Sequence, residues 1–164
     1  MFLKNRALRL TEIPFSGMMK KDRVKKPVMA KEKGGMGMKY LIIGAGGTGG
    51  SIGAFMARAG KDVTLIARGK HLEQMQEKGL KVENSSGTEF TVSGIRATDM
   101  EHYEEQPDVI FVCVKGYSLE ETVPFIKRVA GKDTIVVPIL NIYGTGGRLQ
   151  QKLPELLVTD GCIY

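Results

Sequence analysis

The residues best suited to chemistry in this chain are glycines that follow a short apolar run. Gly44, Gly46 and Gly49 come directly after residues 40–43 and have the spacing G-x-G-x-x-G. In such a loop the first glycine permits a sharp turn, the second lets the backbone approach a pyrophosphate, and the third lets the following helix pack on the strand. The spacing therefore predicts a dinucleotide site, in which the free N–H groups and positive dipole end of the helix face the anion. The candidate cofactor-binding residues of this loop are Gly44, Ala45, Gly46, Gly47, Thr48 and Gly49.

The context of these glycines strengthens the prediction. A glycine spacing alone is weak evidence in a chain with 21 glycines. A second β-branched run at residues 61–67, however, lies where the next strand of a βαβ unit of ~30 residues is expected. A nucleotide loop is therefore better supported than a glycine-rich turn without a ligand.

The residues after this second run predict which cofactor binds. An NAD site of this type has an acid about 20 residues after the glycines, where it bonds the ribose 2′-hydroxyl. Residues 65–71 contain no acid, but they include Arg68 and Lys70, whose donors and charge suit a 2′-phosphate. The sequence therefore predicts NADP(H) as the cofactor. A solvated surface arginine is the alternative for Arg68, and His71 either approaches the adenine or phosphate or is simply exposed.

Lys115 and Asn141 follow two further predicted strands, at the strand ends where open α/β sheets bind ligands. Both side chains can donate hydrogen bonds to a carboxylate, a ribose or a nicotinamide carboxamide. They are therefore candidates for binding cofactor and substrate. The alternative is that they cap loop carbonyls at the strand ends.

The elements that must position these residues alternate between strands and helices. The predicted strands are 39–43, 62–67, 108–114, 134–140 and 156–164, and the predicted helices are 48–58, 70–78, 118–130 and 147–153. Residues 80–83 and 89–92 alternate apolar and polar side chains, which predicts a β-hairpin inserted into the parallel sheet. The predicted fold class is α/β, with a Rossmann-type doubly wound, mostly parallel sheet.

Two features bear on the start of the third predicted helix. Ser118 and Glu121 have the spacing of a capping box, which predicts that the helix begins there. Pro124 would cost ~3 kcal/mol in a helix interior. We therefore expect a kink at Pro124, or a start late enough to place it in the first turn.

The basic character of the chain is concentrated at its start. Residues 1–37 carry ten Lys and Arg and three acids, whereas the other residues carry 14 bases and 15 acids. This leader has little periodicity and is predicted to be disordered, with residues 38–164 forming a Rossmann domain. Met38 is our preferred start of the translated protein. A basic arm that touches nucleic acid or an acidic membrane is the alternative, but no aromatic residues interleave the lysines of residues 20–33.

Other sequence features predict the compartment and the end of the domain. No signal peptide and no apolar run of ~20 residues is present, so we expect a cytoplasmic protein without membrane or nucleic-acid partners. Cys113 and Cys162 lie in apolar runs and are expected to be buried, with no disulfide or metal role. The last predicted strand runs to Tyr164, which indicates a truncated domain.

Together these residues resemble the N-terminal half of the ketopantoate reductase (2-dehydropantoate 2-reductase) family, over about residues 38–164. The resemblance depends on the loop 44–49, Arg68, Lys115 and Asn141. It implies an NADPH enzyme of pantothenate biosynthesis that reduces 2-dehydropantoate, a 2-oxoacid, to pantoate. It also implies that Arg68 binds the 2′-phosphate and that Lys115 and Asn141 contact cofactor and substrate.

The sequence departs from that family in two places. Ile142 and Tyr143 separate Asn141 from the next glycine, where the family has glycine directly. The family's helical second domain, which carries the catalytic lysine, is absent from this sequence, so no catalytic residue is assigned here. We therefore expect the fragment to bind NADPH without turnover, and a homodimer is an expectation for the full-length protein only.

Two other classes share the glycine loop. Regulatory nucleotide-binding modules, such as those that gate potassium transporters, perform no chemistry, and methyltransferases bind S-adenosylmethionine. Both usually carry an acid after the second strand, so Arg68 favours the reductase.

Overall fold

The computed structural model describes residues 37–83, 87 and 89–163. In chain order the elements are β1 (Lys39–Ile43), α1 (Gly47–Arg58), β2 (Asp62–Ile66), α2 (Gly69–Lys78), β3 (Leu80–Glu83), β4 (Glu89–Val92), β5 (Arg96–Thr98), β6 (Val109–Val112), α3 (Leu119–Val129), β7 (Ile135–Pro138), α4 (Thr145–Lys152) and β8 (Leu157–Val158). A 3₁₀ turn over Gly116–Ser118 precedes α3. The predictions for residues 1–36, including the leader, lie outside the described residues.

Six strands form one sheet in the order β5-β2-β1-β6-β7-β8, and every pairing in it is parallel. This order is that of a doubly wound dinucleotide-binding sheet, in which successive crossovers leave β1 in opposite directions. The reversal between β1 and β6 creates a crevice at their carboxyl ends. The predicted Rossmann-type α/β fold is confirmed.

The central strands are apolar because both faces of the sheet are covered. Leu41 and Ile43 of β1 pack in one core cluster with Ile126 of α3. Ile42, between them, packs in a second cluster with Ala54 of α1. All five side chains have 0% exposure, and each large one stabilises the fold by roughly 1.5–3 kcal/mol through burial. A strand buried on both faces has no polar alternation, as the run at 39–43 shows.

The predicted hairpin is present, but its strands pair only with each other. β3 and β4 are antiparallel and form a two-stranded sheet separate from the six-stranded one. Leu80 and Val82 are buried on the side of α1 and α2, while Lys81 and Glu83 are exposed. The alternation predicted the hairpin correctly, whereas its insertion into the parallel sheet was wrong.

Strand β5 is an element that sequence reasoning missed. Its three residues, Arg-Ala-Thr, lack the apolar signal of the other strands, and β5 forms by pairing in parallel with β2 at the edge of the sheet. Arg96 helps to hold this edge, because its guanidinium donates to Asp62 at 2.5 Å and also to Glu105. β5 matters for ligand binding because its carboxyl end lies at the same side of the sheet as those of the other strands, where open α/β sheets bind ligands.

α3 starts where it was predicted, at Leu119 with Ser118 as its N-cap residue, but without the predicted capping bond. Ser118 makes no side-chain capping bond, so the predicted capping box is wrong. The 3₁₀ turn replaces it, since the Ser118 N–H donates to the Lys115 carbonyl at 2.9 Å. Pro124 is the sixth residue of α3 and is exposed, so the late start is also wrong. Burial of Val123 and Ile126 offsets the cost of the proline.

The last predicted strand is much shorter than expected. β8 contains only Leu157–Val158, followed by an isolated bridge from Gly161 to Ile139. Within the described part of the chain, no helix has the length and apolar character needed to cross a membrane. The same residues contain no cluster of His, Cys, Asp and Glu that could hold a metal ion.

Candidate functional site

The glycine loop between β1 and α1 requires glycine at two positions. Gly44 has φ +98°, and a Cβ there would lie 2.9 Å from the Cys113 carbonyl oxygen. A Cβ on Gly49 would lie 2.0 Å from the Gly44 carbonyl oxygen and 2.9 Å from the Cβ of Cys113. The loop thus turns sharply and brings α1 against β6, as the glycine spacing predicts.

The N-terminus of α1 is open at the same loop. The capping residue, Gly46, contributes no side chain, and the first turn contains no acid. A Cβ built on Gly46 or Gly47 meets no atom within 4 Å. The first N–H groups of a helix have no partners within the helix. Space, N–H donors and the positive end of the dipole therefore coincide, which suits a phosphate or another anion.

This terminus opens into a cleft of about 590 Å³ at the carboxyl ends of β1, β2, β5 and β6. Five of the predicted site residues line it: Gly44, Ala45, Gly46, Arg68 and Lys115. Gly47, Thr48 and Gly49 belong to the first turn of α1 and are not part of the lining. Asn141, beyond the end of β7, is not part of the lining either.

Two predicted cations reach the cleft from different strands. Arg68 directly precedes α2, and its side chain is exposed. Lys115 lies between β6 and the 3₁₀ turn and is also exposed. They approach the cleft from opposite sides of β1, because β2 and β6 are its two neighbours in the sheet.

Asn141 lies beyond the end of β7, where it is exposed. Its Oδ1 accepts a hydrogen bond from the Cys162 thiol at 3.1 Å. Cys162 is exposed as well, so the prediction that it is buried was wrong. It follows β8 in irregular structure, whereas Cys113 is half-buried behind the glycine loop. Burial raises the pKa of the Cys113 thiol to about 12, which keeps it neutral.

Sequence reasoning missed three carboxylates that line the cleft, namely Asp99, Glu101 and Glu121. Asp99 directly follows β5, which pairs with β2. Because the sequence did not predict β5, it gave no signal that Asp99 lies beside the end of β2. Its carboxylate accepts hydrogen bonds from the backbone N–H and the ring Nδ1 of His102, both at 2.8 Å. These bonds lower the pKa of Asp99, and the carboxylate raises the pKa of His102.

His71 is the remaining polar group at the loop. It lies in the first turn of α2 and lines the cleft, and its Nε2 lies 2.8 Å from the Ala45 carbonyl oxygen. The sequence left two roles open for His71, contact with a ligand or simple exposure. In the structure His71 is exposed, as the second of these roles predicts, and its Nε2 bonds the backbone of the glycine loop.

Comparison with known proteins adds independent evidence. The family described as ketopantoate reductase PanE/ApbA matches residues 40–164. The 2-dehydropantoate 2-reductase of Pyrococcus horikoshii is 31% identical over 119 residues, covering 73% of this chain and 36% of that protein. The chain spans little more than a third of the length of its curated relatives, with 34% and 36% for two of them.

Solved structures of reductases and dehydrogenases are also similar to this chain. The 2-dehydropantoate 2-reductase from Porphyromonas gingivalis is similar with a TM-score of 0.68 and 34% identity, over 78% of this chain and 47% of that one. A ternary structure of D-mandelate dehydrogenase with NADH and anilino(oxo)acetate is similar with a TM-score of 0.63 and 29% identity, over 73% and 37%.

Proposed function

The chain belongs to the ketopantoate reductase family, and from this membership we propose that it is the cofactor-binding part of an NADPH-dependent 2-oxoacid reductase. The proposed reaction of the whole protein is reduction of 2-dehydropantoate to pantoate, the activity that relatives are named for. The proposal includes NADP(H) as the cofactor and pantothenate biosynthesis as the pathway. The homodimer and the cytoplasmic location stay predictions from the sequence.

One observation carries the proposal. The open N-terminus of α1, Arg68 and Lys115 all border the same cleft at the switch point of the sheet. An anion-binding helix end and two cations around one crevice suit a ligand with several phosphates.

The residues present fit a phosphorylated dinucleotide. The N–H groups of the first turn of α1 would hold the pyrophosphate, for which the empty space at Gly46 and Gly47 leaves room. Arg68 would pair with the 2′-phosphate, and Lys115 would contact the nicotinamide end and the substrate carboxylate. When bound, the reduced nicotinamide supplies a hydride to the ketone carbon.

We assign no general acid within the chain. Lys115 is proposed to bind and orient the ligands, and the lysine that protonates the substrate oxygen is proposed to belong to a separate helical domain, as the resemblance to the family implies. Asn141 is proposed to assist substrate binding from the end of β7, outside the cleft that the described residues form. The 164-residue chain is therefore expected to bind NADPH and to reduce no 2-oxoacid.

A second candidate is a reductase that uses NADH. Asp99 follows the strand beside β2 and lines the cleft, so an acid is available near the position of the ribose. The similar D-mandelate dehydrogenase structure contains NADH. Against this candidate, Arg68 and not an acid follows β2, where the carboxylate for the ribose 2′-hydroxyl is expected.

Titration of the 164-residue chain with NADPH, NADH and S-adenosylmethionine tests the proposal. We expect NADPH to bind most tightly and Arg68→Ala to weaken NADPH by roughly 10-fold, because a charge-assisted hydrogen bond is lost, with little change for NADH. Arg148→Ala is the matched control, since Arg148 is an exposed arginine of α4 that pairs with Glu120 at 3.5 Å. Tighter binding of NADH, or equal weakening of both cofactors by Arg68→Ala, would contradict the assignment.

A further inference from the structure

His71 joins two segments that lie far apart in the sequence. Its Nε2 lies 2.8 Å from the carbonyl oxygen of Ala45, which is 26 residues earlier. A carbonyl oxygen only accepts hydrogen bonds, so Nε2 must carry the proton in this contact. The bond therefore holds the first turn of α2 against the glycine loop.

Besides this bond, the first turn of α2 is restrained by Leu72, which is partly buried against the core. Gly69, its first residue, has φ +56°, and its surroundings are open. Met75 is the one residue of α2 that is fully buried. Because the first turn begins with a glycine and packs one partly buried side chain, Leu72, the polar contact from His71 contributes to its position.

The position of this turn matters because Arg68 directly precedes it. Ala45, Arg68 and His71 all line the cleft. The glycine loop faces the proposed pyrophosphate, and Arg68 faces the proposed 2′-phosphate. The bond from His71 therefore connects the two points at which the same ligand would be held.

We propose that His71 is a positioning residue that sets the spacing between the glycine loop and Arg68, and thereby contributes to selection of a 2′-phosphorylated dinucleotide. This inference rests on the proposed function. A ligand with the 2′-phosphate is held at both points and needs their correct spacing. A ligand without it depends on the loop alone, so loss of the bond has less effect on its affinity.

The test compares the affinities of the 164-residue chain and its variants for NADPH and NADH. His71→Ala removes the donor, and we expect it to lower the ratio of NADPH to NADH affinity by about 3- to 10-fold, the worth of one hydrogen bond. His71→Gln keeps an N–H donor near the position of Nε2 and should restore most of the ratio. Gln76→Ala is the matched control, because its amide ties the same helix to Ala97 at 3.0 Å, away from the loop.

The outcomes separate this inference from the proposed function. If the unchanged chain prefers NADPH but His71→Ala leaves the ratio intact, or weakens both cofactors equally, the inference is overturned and the proposed function stands. If the unchanged chain has no preference for NADPH, the proposed function fails and the inference fails with it.

Nitrogen NMR of the ligand-free chain tests the hydrogen bond itself without cofactor, since the bond to the Ala45 carbonyl requires that Nε2 of His71 is protonated. An Nδ1-protonated neutral ring would contradict the geometry.

Discussion

Two glycine-rich loops in this molecule each lead from a parallel strand into a helix, and they differ in what faces the helix end. The first glycine loop, residues 44–49, leads into α1, whose N-terminus meets no acidic side chain in its first turn. The second glycine loop, residues 144–147, leads into α4. There the carboxylate of Asp160 accepts a hydrogen bond from the Gly146 N–H at 2.8 Å. A Cβ on Gly146 would lie 2.5 Å from the same carboxylate oxygen.

The difference shows that glycine content does not by itself make a ligand site. Both loops contain a glycine with positive φ, +98° at Gly44 and +74° at Gly144. In the second loop the chain supplies its own anion, so the positive end of α4 is already compensated. In the first loop no side chain of the loop or of the first turn supplies an anion, and the N-terminus of α1 lies beside a cleft. An external anion therefore suits the first loop only.

The largest expected effect concerns the tight packing of the first loop. Gly49→Val should lower the free energy of unfolding by at least ~3 kcal/mol, because its Cβ would lie 2.0 Å from the Gly44 carbonyl oxygen. Gly47→Ala is the control, since its Cβ meets nothing within 4 Å. Urea denaturation measures both, and a Gly49→Val chain as stable as the control would show that the loop is not packed as described.

The next prediction gives the first glycine loop a carboxylate of its own, like the one that Asp160 supplies to the second glycine loop. Gly46→Asp places a carboxylate at the open end of α1, where φ −71° accepts any residue and there is space for the side chain. We expect NADPH affinity to fall by at least ~10-fold through repulsion, while the melting temperature stays the same or rises because aspartate is a good N-cap. Gly46→Asn, which caps without charge, is the control. Unchanged affinity in the aspartate variant would place the anion elsewhere.

A smaller effect is expected from opening the second loop. Asp160→Ala removes the bond to the Gly146 N–H and should cost about 1 kcal/mol of unfolding free energy. It should not create a second NADPH site, since no residue of this loop lines the cleft. Asp133→Ala, at an exposed carboxylate 4.0 Å from Lys132, serves as control. If calorimetry measured two NADPH molecules bound per variant chain, an open helix end would be sufficient for cofactor binding without a cleft.

The smallest effect is the pH dependence of the Asp99 and His102 pair beside the first loop. The pKa of His102 is raised from 6.5 and that of Asp99 is lowered from 3.8 in the folded chain. The contribution of His102 to the stability of the folded chain is complete below its ordinary pKa and disappears as pH rises through the raised pKa. The contribution of Asp99 is present above its ordinary pKa and disappears at lower pH. Their stabilising effect is therefore greatest between about pH 4 and 6.5.

Denaturation at several pH values measures this effect. His102→Gln should lose a small amount of stability at pH 5.5, and the difference from the unchanged chain should shrink by pH 8.5. Because His102 is exposed and Asp99 is partly exposed, the change is expected to be slight. A difference that grows with pH would show that the pair does not titrate as its hydrogen bonds indicate.

Much of the fold was predictable from local pattern. The residues of β1 were predicted as they occur, and α1, β2 and α2 were correct to within one residue. A glycine lies near a boundary of each element, and β1, α1 and β2 also have clear apolar patterns. Arg68 and Lys115 were placed at the cleft because ligands of such sheets bind at the carboxyl ends of strands. Asn141 follows the same rule at β7, yet it lies outside the cleft and bonds Cys162.

The succession of strands and helices, the sharp turn at Gly44 and the cations after β2 and β6 could all be predicted from the chain, because they depend on residue type and spacing within a few positions. Which helix end is open could be seen only in the folded molecule, because Asp160 reaches the second loop through the pairing of β8 with β7. The tertiary structure also decided that Asp99 and His71 join the site, since the first depends on β5 pairing with β2 and the second on a bond across 26 residues. Contacts between distant parts of a chain form only when the whole fold closes, and no local pattern encodes them.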